Sequence, residues 1–497
     1  MDLFRKLRDG MTVLLIAIPV LVFAWAYGGL RGDVLRAVMP WASIVCLCGI
    51  LVLPQSRSEE SVGETWCRVG RQIVRDPFVW TFLVFATYMF LPLLNEVPSP
   101  LQDGGFSEES APSAYLPFCV SRTEHLGVVC WFLPTLLSAL GARHALTRVG
   151  KRALFELLVW NGALLAVFGF VQIFTRAHFP FWEEVQQKVH FFSVFAYPNA
   201  AGAFFTLNLA MAFGLWIYRI EVGENLSLTD ERGLSHSALR AHYPFWAAAL
   251  SFFAVLATLS RAAIVLSILL TVLFFVYVIF RPLAEEGLAQ ARRFRSILSV
   301  GSLILVAAAV AYIYAPPDIG RELNTVNLFS ISDRVTGKAQ YHTRVATSLM
   351  RDYPLFGVGG WGYRHFSMAY LKRENAETSV QMVGGANVHN DYLQFLAEQG
   401  AVGFLLMAFC FYWLVRPTFQ TWGRLIRVEN ARARSGMGTS SLAVFSVCGP
   451  VFWIFLGSMA VLIHAFGDCP LRSAAVLSLL CVVQVLATGF LPHLKEG

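Results

Sequence analysis

The run PFWAAALSFFAVLATLSRAAIVLSILLTVLFFVYVIF, residues 244–280, is almost wholly apolar and carries a single charge, Arg261, near its middle. As one α-helix it would be about 55 Å long, whereas the hydrocarbon core of a bilayer is about 30 Å thick. An arginine at the bilayer centre also costs roughly 2.5–3.5 kcal/mol even on the mildest insertion scale. The run therefore reads as two helices, with Ser260-Arg261 at a turn on a membrane surface.

Similar apolar stretches recur from end to end. Candidate spans fall near 11–29, 37–54, 77–95, 126–142, 153–175, 199–218, 244–260, 262–280, 297–315, 400–416, 443–463 and 472–491. The composition agrees: 56% of the 497 residues are hydrophobic and only 14% are charged, against roughly 25% charged in an ordinary soluble protein. That excludes a soluble multidomain enzyme and a disordered chain. The expected fold is an all-α polytopic membrane protein of about twelve transmembrane helices, one membrane domain over 1–497, with a large outer loop, 316–399, before the tenth helix. Arg5, Lys6, Arg8 and Ala24-Trp25-Ala26 imitate a signal peptide, but with so many spans following, the first reads as an uncleaved helix.

Charge sets the orientation. The net charge of +7 invites a nucleic-acid reading, but cationic loops on the cytoplasmic side give the same excess, and no nucleic-acid partner is expected. With the N-terminus inside, 24 of the 39 Lys and Arg residues fall on the inner side. Eight of the 15 outside lie in the long loop, which the rule discounts. Both termini are therefore expected in the cytoplasm. The nine cysteines form no CxxC pair. Cys119 and Cys469 fall in outer segments, where one bridge is chemically possible, yet nothing in the sequence brings them together.

The outer segments hold the chemistry. Read as a helix, Asn387 to Gly400 places His389, Tyr392, Leu393, Leu396 and Gly400 on one face, with Asp391, Gln394 and Glu398 on the other. Periodicity alone makes His389 a helix-terminal imidazole at the interface. No second His or Cys follows at ligand spacing, so no metal site is expected. Arg344 sits on a segment that ends at Asp352-Tyr353-Pro354, and as a lone loop arginine it reads as a solvated charge. The following Gly357-Val358-Gly359-Gly360-Trp361-Gly362 fits G-x-G-x-x-G but lacks a βαβ setting, so it reads as a tight turn rather than a dinucleotide site. Tyr197-Pro198-Asn199-Ala200 opens the sixth span. His464 and Asp468 lie before the last span, able to pair with each other or to line a site.

Taken together, His389-Asn390-Asp391-Tyr392-Leu393 through Gly400, Arg344 through Gly357, Ser260-Arg261-Ala262 and Pro198-Asn199 resemble the bacterial O-antigen ligase and polymerase superfamily, which includes protein O-oligosaccharyltransferases. The resemblance covers about 195 to 470; Tyr27-Gly28-Gly29 is compatible with it. It implies an all-helical membrane glycosyltransferase of the GT-C-like class acting at the outer face of the bacterial inner membrane, in surface polysaccharide or lipopolysaccharide biosynthesis. The implied donor is a glycan on undecaprenyl pyrophosphate. The implied acceptor hydroxyl belongs to a lipid-A core, a second glycan or a protein, and no cofactor is implied. Arg261, Arg344 and His389 match the family's functional arginines and histidine, and Asn199, Tyr392, His464 and Asp468 become candidates for substrate contact. The rival class is a lipid-linked glycan transporter. It would show similar halves and charges at the midplane, whereas here the halves differ and the charges of interest lie at or beyond the outer surface.

Overall fold

Several helices begin where a polar side chain can take one of their first unpaired N–H groups. The computed structural model describes residues 2–56, 60–99, 113, 115–184, 190–221, 229–230, 233–234, 236–280, 338–373, 387–434 and 449–490. Among them are helices α1 (Asp2–Trp25), α2 (Gly32–Leu51), α3 (Val62–Arg75), α4 (Pro77–Phe90), α5 (Arg122–His144), α6 (Arg148–Phe174) and α7 (Pro198–Glu221). After them come α8 (His236–Ala257), α9 (Arg261–Phe280), α10 (Lys338–Asp352), α11 (Gly362–Arg373), α12 (Asp391–Arg434), α13 (Gly449–Gly467) and α14 (Ala474–Leu486). Ser61, Asp76, Ser121, Thr147 and Ser473 cap α3, α4, α5, α6 and α14 with their side-chain oxygens. A pair of two-residue strands, Thr229–Asp230 and Gly233–Leu234, is the only sheet among the described residues.

Eight helical stretches are long and apolar enough to cross a membrane: Lys6–Trp25, Gly32–Leu51, Pro77–Leu94, Arg122–His144, Arg148–Phe174, Pro198–Arg219, Asp391–Arg424 and Gly449–Gly467. Three further apolar helices, His242–Ala257, Arg261–Tyr277 and Ala474–Gly489, coincide with expected spans but are shorter. The expected span near 297–315 lies outside the described residues, as does much of 316–399. The chain is thus a helical protein of polytopic membrane type. The 244–280 run does divide: α8 stops at Ala257, Leu259 takes a left-handed backbone (φ 59°), and α9 starts at Arg261.

Helix α7 forms the axis, buried along its whole apolar length. It packs on α8 and α13 through small residues. A Cβ on Gly457 of α13 would come within 2.5 Å of Ala210 Cβ, and one on Gly202 within 2.6 Å of Ala263 Cβ. Backbones that approach this closely gain dispersion contacts, which drive helix association where lipid removes the hydrophobic incentive.

A second, smaller core lies outside the helix bundle. Val345, Ala346 and Leu349 of α10 meet Tyr363 and Phe366 of α11, together with Val97, Phe118, Val358, Val388 and Ala397. The segment between α4 and α5 joins it through Val97 and Phe118, and its two ends are tied together where Val97 N donates to Cys119 O (2.9 Å) and Cys119 N to Asn95 O (3.0 Å). Cys119 and Cys469 are each buried and unbridged.

Candidate active site

The site begins with a helix that starts later than its periodicity suggests. Leu393 N donates to Asn390 Oδ1 (3.1 Å) and Gln394 N to Asn390 O (3.0 Å), so Asn390 is the N-cap of α12. His389 therefore precedes the helix, with φ +57°, and does not share a helical face with Tyr392, Leu393 and Leu396. The expected face is also inverted. Asp391, Gln394 and Glu398 are buried while Tyr392, Leu393 and Leu396 are half-exposed, because polar partners from 468–472 cover the polar side. Leu471 N donates to Asp391 Oδ2 (2.7 Å) and Asp391 N to Asp468 O (3.2 Å). Glu398 takes Arg472 Nη1 at 3.1 Å and also pairs with Nη2. A forked pair of this kind lets a buried carboxylate keep its charge.

This cross-link sets His389 against Asp468. His389 Nδ1 lies 3.3 Å from Asp468 Oδ1. An ionised carboxylate only accepts, so Nδ1 carries the hydrogen, and in the neutral imidazole Nε2 is the acceptor. Tyr197 Oη also donates to Oδ1, Asn199 Nδ2 to Oδ2, and Cys469 N to Oδ1 (2.7 Å). Burial pushes the Asp468 carboxyl up, but the hydrogen bonds from His389 and Tyr197 and the neighbouring imidazole outweigh it and hold the group below the usual carboxylate range. Burial and the Asp468 charge push the Tyr197 phenol up, so it stays a donor. The imidazole is the accessible member, 46% exposed against 14% for Asp468. A left-handed backbone on a histidine stores strain that the surrounding contacts must hold, and such strain clusters at functional positions.

The other sequence candidates take up distinct positions. Asn199, in the first turn of α7, joins the His389–Asp468 pair directly. Arg261 opens α9 next to Ser260, whose side chain packs on Gly202, one turn along α7 from Asn199. Arg344 is exposed on α10. Two residues before it, buried His342 brings its ring to 6.1 Å from the His389 ring and its Nδ1 to 2.8 Å from Tyr363 Oη. Residues two apart on a helix point about 200° from each other, so the helix that presents Arg344 is docked to His389 by its other face. Tyr392 turns to α13, where its hydroxyl donates to Leu462 O (2.8 Å). His464 belongs to the last turn of α13 rather than to the turn after it; it is buried, and its Nε2 has no hydrogen-bond partner among the described residues. Asp468 pairs with His389, Tyr197 and Asn199, not with His464. Tyr197, His342 and Arg472 are site neighbours that sequence reading missed. Only Tyr197 carried a signal, through its place before Pro198-Asn199.

The glycine-rich stretch after α10 has a mechanical part. Gly400 has φ +61° and breaks α12, and a Cβ there would meet Leu355 O at 2.3 Å. Residues 354–359 fill the break. Ala401 N donates to Pro354 O (2.9 Å) and Val402 N to Leu355 O (3.0 Å), while Val358 N donates to Ala397 O (3.1 Å) and Gly359 N to Glu398 O (2.8 Å). In an unbroken helix the N–H groups of 401 and 402 would bond to the carbonyls of 397 and 398. Each of those two bonds is here replaced by a pair to the inserted segment, so all four groups stay satisfied. Gly357 and Gly359, with φ +66° and +78°, let the inserted backbone turn. The G-x-G-x-x-G pattern thus serves packing.

Beneath the site lies a cavity of about 330 Å³ between α5, α12, α13 and α14. Trp131, Phe132, Phe395, Phe404, Met407 and Phe411 give it an apolar wall, and Gln394, Glu398 and Arg472 form its polar end. Arg472 and Arg364 each place a guanidinium 4.2 Å from the centroid of Trp361, a cation–π arrangement that fixes the indole. Among the described residues no three His, Cys, Asp or Glu side chains gather as metal ligands would.

Comparison with known proteins fits this geometry. No curated protein matches the chain. The sequence model of the family described as O-antigen ligase matches residues 246–408, which include Arg261, Arg344, His389 and the Gly400 break, while Asn199 and Asp468 join them only through the fold. Residues 246–408, about a third of the chain, are thus similar to the O-antigen ligase family, which at a coarse level implies an enzyme of glycosyl-transfer type.

Proposed function

We propose that this protein transfers a glycan from undecaprenyl pyrophosphate to an acceptor hydroxyl at the outer face of the bacterial inner membrane. The observation that carries the reading is the His389–Asp468 pair, exposed on the imidazole side and backed by Tyr197 and Asn199. With Nδ1–H held by Asp468, the His389 Nε2 lone pair takes the proton of the acceptor hydroxyl. The acceptor oxygen bonds to the anomeric carbon, the carbon–oxygen bond to the diphosphate breaks, and the electron pair leaves with the lipid diphosphate. Asp468 stabilises the imidazolium that forms.

The leaving anion needs positive charge beside it. Arg261 and Arg344 supply forked guanidinium donors. One such contact at 4 Å is worth of order 4 kcal/mol of Coulomb energy at an effective dielectric of 20, before desolvation is subtracted. The apolar cavity beside the site suits the isoprenoid part of the donor.

The test is donor binding measured beside transfer for Arg261→Ala, Arg344→Ala and His389→Ala. The arginine variants are expected to lose both, and lysine to restore them only in part. His389→Ala is expected to bind donor and fail to transfer. Near-normal transfer by His389→Ala would overturn the reading. Impermeant labelling of a cysteine at position 370 in intact cells checks the orientation.

A further inference from the structure

A second polar cavity sits at the other end of the bundle. On α5, Glu124 pairs with Arg364 and His365 beside the outer core, whereas Arg143 and His144 end the same helix. Nineteen residues of helix separate the two ends by about 29 Å. There, α3, α4, α5, α6, α12 and the 485–488 turn border an open recess of about 630 Å³. Among the described residues it is lined by the basic side chains of Arg71, Arg75, Arg143, Arg148 and Lys151 and by one carboxylate, Asp76.

That carboxylate is already committed. Asp76 Oδ1 takes Phe78 N (3.0 Å) as the cap of α4 and Arg143 Nη2 (3.0 Å), and its Oδ2 takes Arg143 Nε (2.5 Å) and His144 Nε2 (2.8 Å). Lys151, half-buried, donates to the neutral hydroxyl of Thr488 (2.9 Å). Like charges gathered in a recess repel one another, and the repulsion grows as the surroundings become less watery. A mobile anion removes it.

We propose that this cavity binds a phosphate-bearing anion, and that the anion is the headgroup of a membrane lipid. The rim favours a lipid over a free ion. Helix α3 carries Val62, Trp66, Val69 and Ile73 along one face, and Glu64, Arg68, Arg71 and Arg75 along another. Trp66 and Val74 of this helix are 50% and 62% exposed, so it presents apolar side chains on one face and cations on another, the mark of a helix lying in a headgroup layer. Leu414, Pro417 and Val485 add an apolar wall within the cavity, giving acyl chains a surface next to the phosphate subsite. Basic recesses of this kind between membrane helices hold anionic headgroups. Only the choice of leaflet, cytoplasmic, rests on the proposed function; the anion site does not.

The experiment uses the full chain purified in mild detergent, with native mass spectrometry of retained phosphatidylglycerol or phosphatidylcholine. Wild type is expected to retain phosphatidylglycerol and to release phosphatidylcholine. Arg71→Gln with Arg75→Gln, both exposed positions that line the recess, is expected to weaken retention about thirtyfold, the loss for two cations in contact with the headgroup. Thr421→Glu, which places a carboxylate on the cavity wall without removing an arginine, is expected to act the same way. Arg424→Gln with Arg427→Gln, exposed cations that do not line the cavity, should leave retention within about twofold. Equal retention of phosphatidylglycerol by all four proteins, or equal retention of the two lipids by wild type, overturns the proposal. Persistence of bound phosphatidylglycerol in millimolar inorganic phosphate supports the lipid. Displacement by phosphate alone overturns the lipid assignment and leaves a free-anion site. Glycosyl transfer, measured separately, reports on the His389 site and not on this one.

Discussion

At one end of α4, α5, α12 and α14 the buried carboxylates Asp391, Glu398 and Asp468 each have donors aimed at them. At the other end, among the described residues, cations gather around one carboxylate, Asp76, that is already taken. In the first region the groups around Asp468 pin one another and the His389 imidazole is the exposed member. In the second, cations outnumber carboxylates among the described lining residues. Preorganisation is what a site needs when it must act on a transition state without rearranging. Residual charge is what a site shows when a diffusible counter-ion completes it.

The sharpest way to break this contrast is His389→Ala, which is expected to lower transfer about a thousandfold, within the range for general-base loss, while donor binding changes less than about twofold. Asp468→Asn comes next, at about a hundredfold, since the amide can present an N–H to Nδ1 and spoil the tautomer. Its pH dependence has a fixed sign. The Asp468 value is depressed on folding, so its contribution to stability is full above the unfolded value near about 3.9 and is lost as pH falls through the lower folded value. The melting temperatures of wild type and Asp468→Asn are therefore expected to converge in acid. Divergence would mean the carboxylate is not held by these donors.

Gly400→Ala is the next smaller effect. A side chain at φ +61° that also meets Leu355 O is expected to destabilise the fold by about 2 kcal/mol, read as a lower melting temperature, with donor affinity unchanged in the folded fraction. The smallest effect belongs to metal removal. If guanidinium groups carry the leaving anion, a chelator changes the transfer rate by less than about twofold. Inhibition reversed by a divalent ion would break the arginine account.

How far the sequence reached follows from the kind of signal each residue gave. Arg261 could be placed at a turn because a 37-residue apolar run cannot cross a bilayer once, a constraint that needs no tertiary knowledge. His389 was flagged, but its helical face was wrong, because Asn390 captures the first-turn N–H groups and starts the helix at Asp391. The buried polar face of 391–399 was illegible for a different reason. Gln394 and Glu398 look like a solvated side until Arg472 and Cys469, more than 70 positions away, arrive to cover them. Asp468 as the partner of His389, and His342 as its neighbour, are likewise products of folding. Periodicity reports an element's own faces and says nothing about which distant residues will meet them.

The exchange of backbone bonds at Gly400 has a kinetic meaning. Residues 354–359 cannot leave the break without stripping partners from the amides of Ala401 and Val402 as well as from their own. The amide hydrogens of Val358, Gly359, Ala401 and Val402 should therefore exchange with solvent deuterium as one cooperative unit, with a shared protection factor, although 42 positions separate Gly359 from Ala401. The segment that carries Arg344 and the helix that follows His389 are then latched together, and any opening at the Gly400 break releases both in a single event.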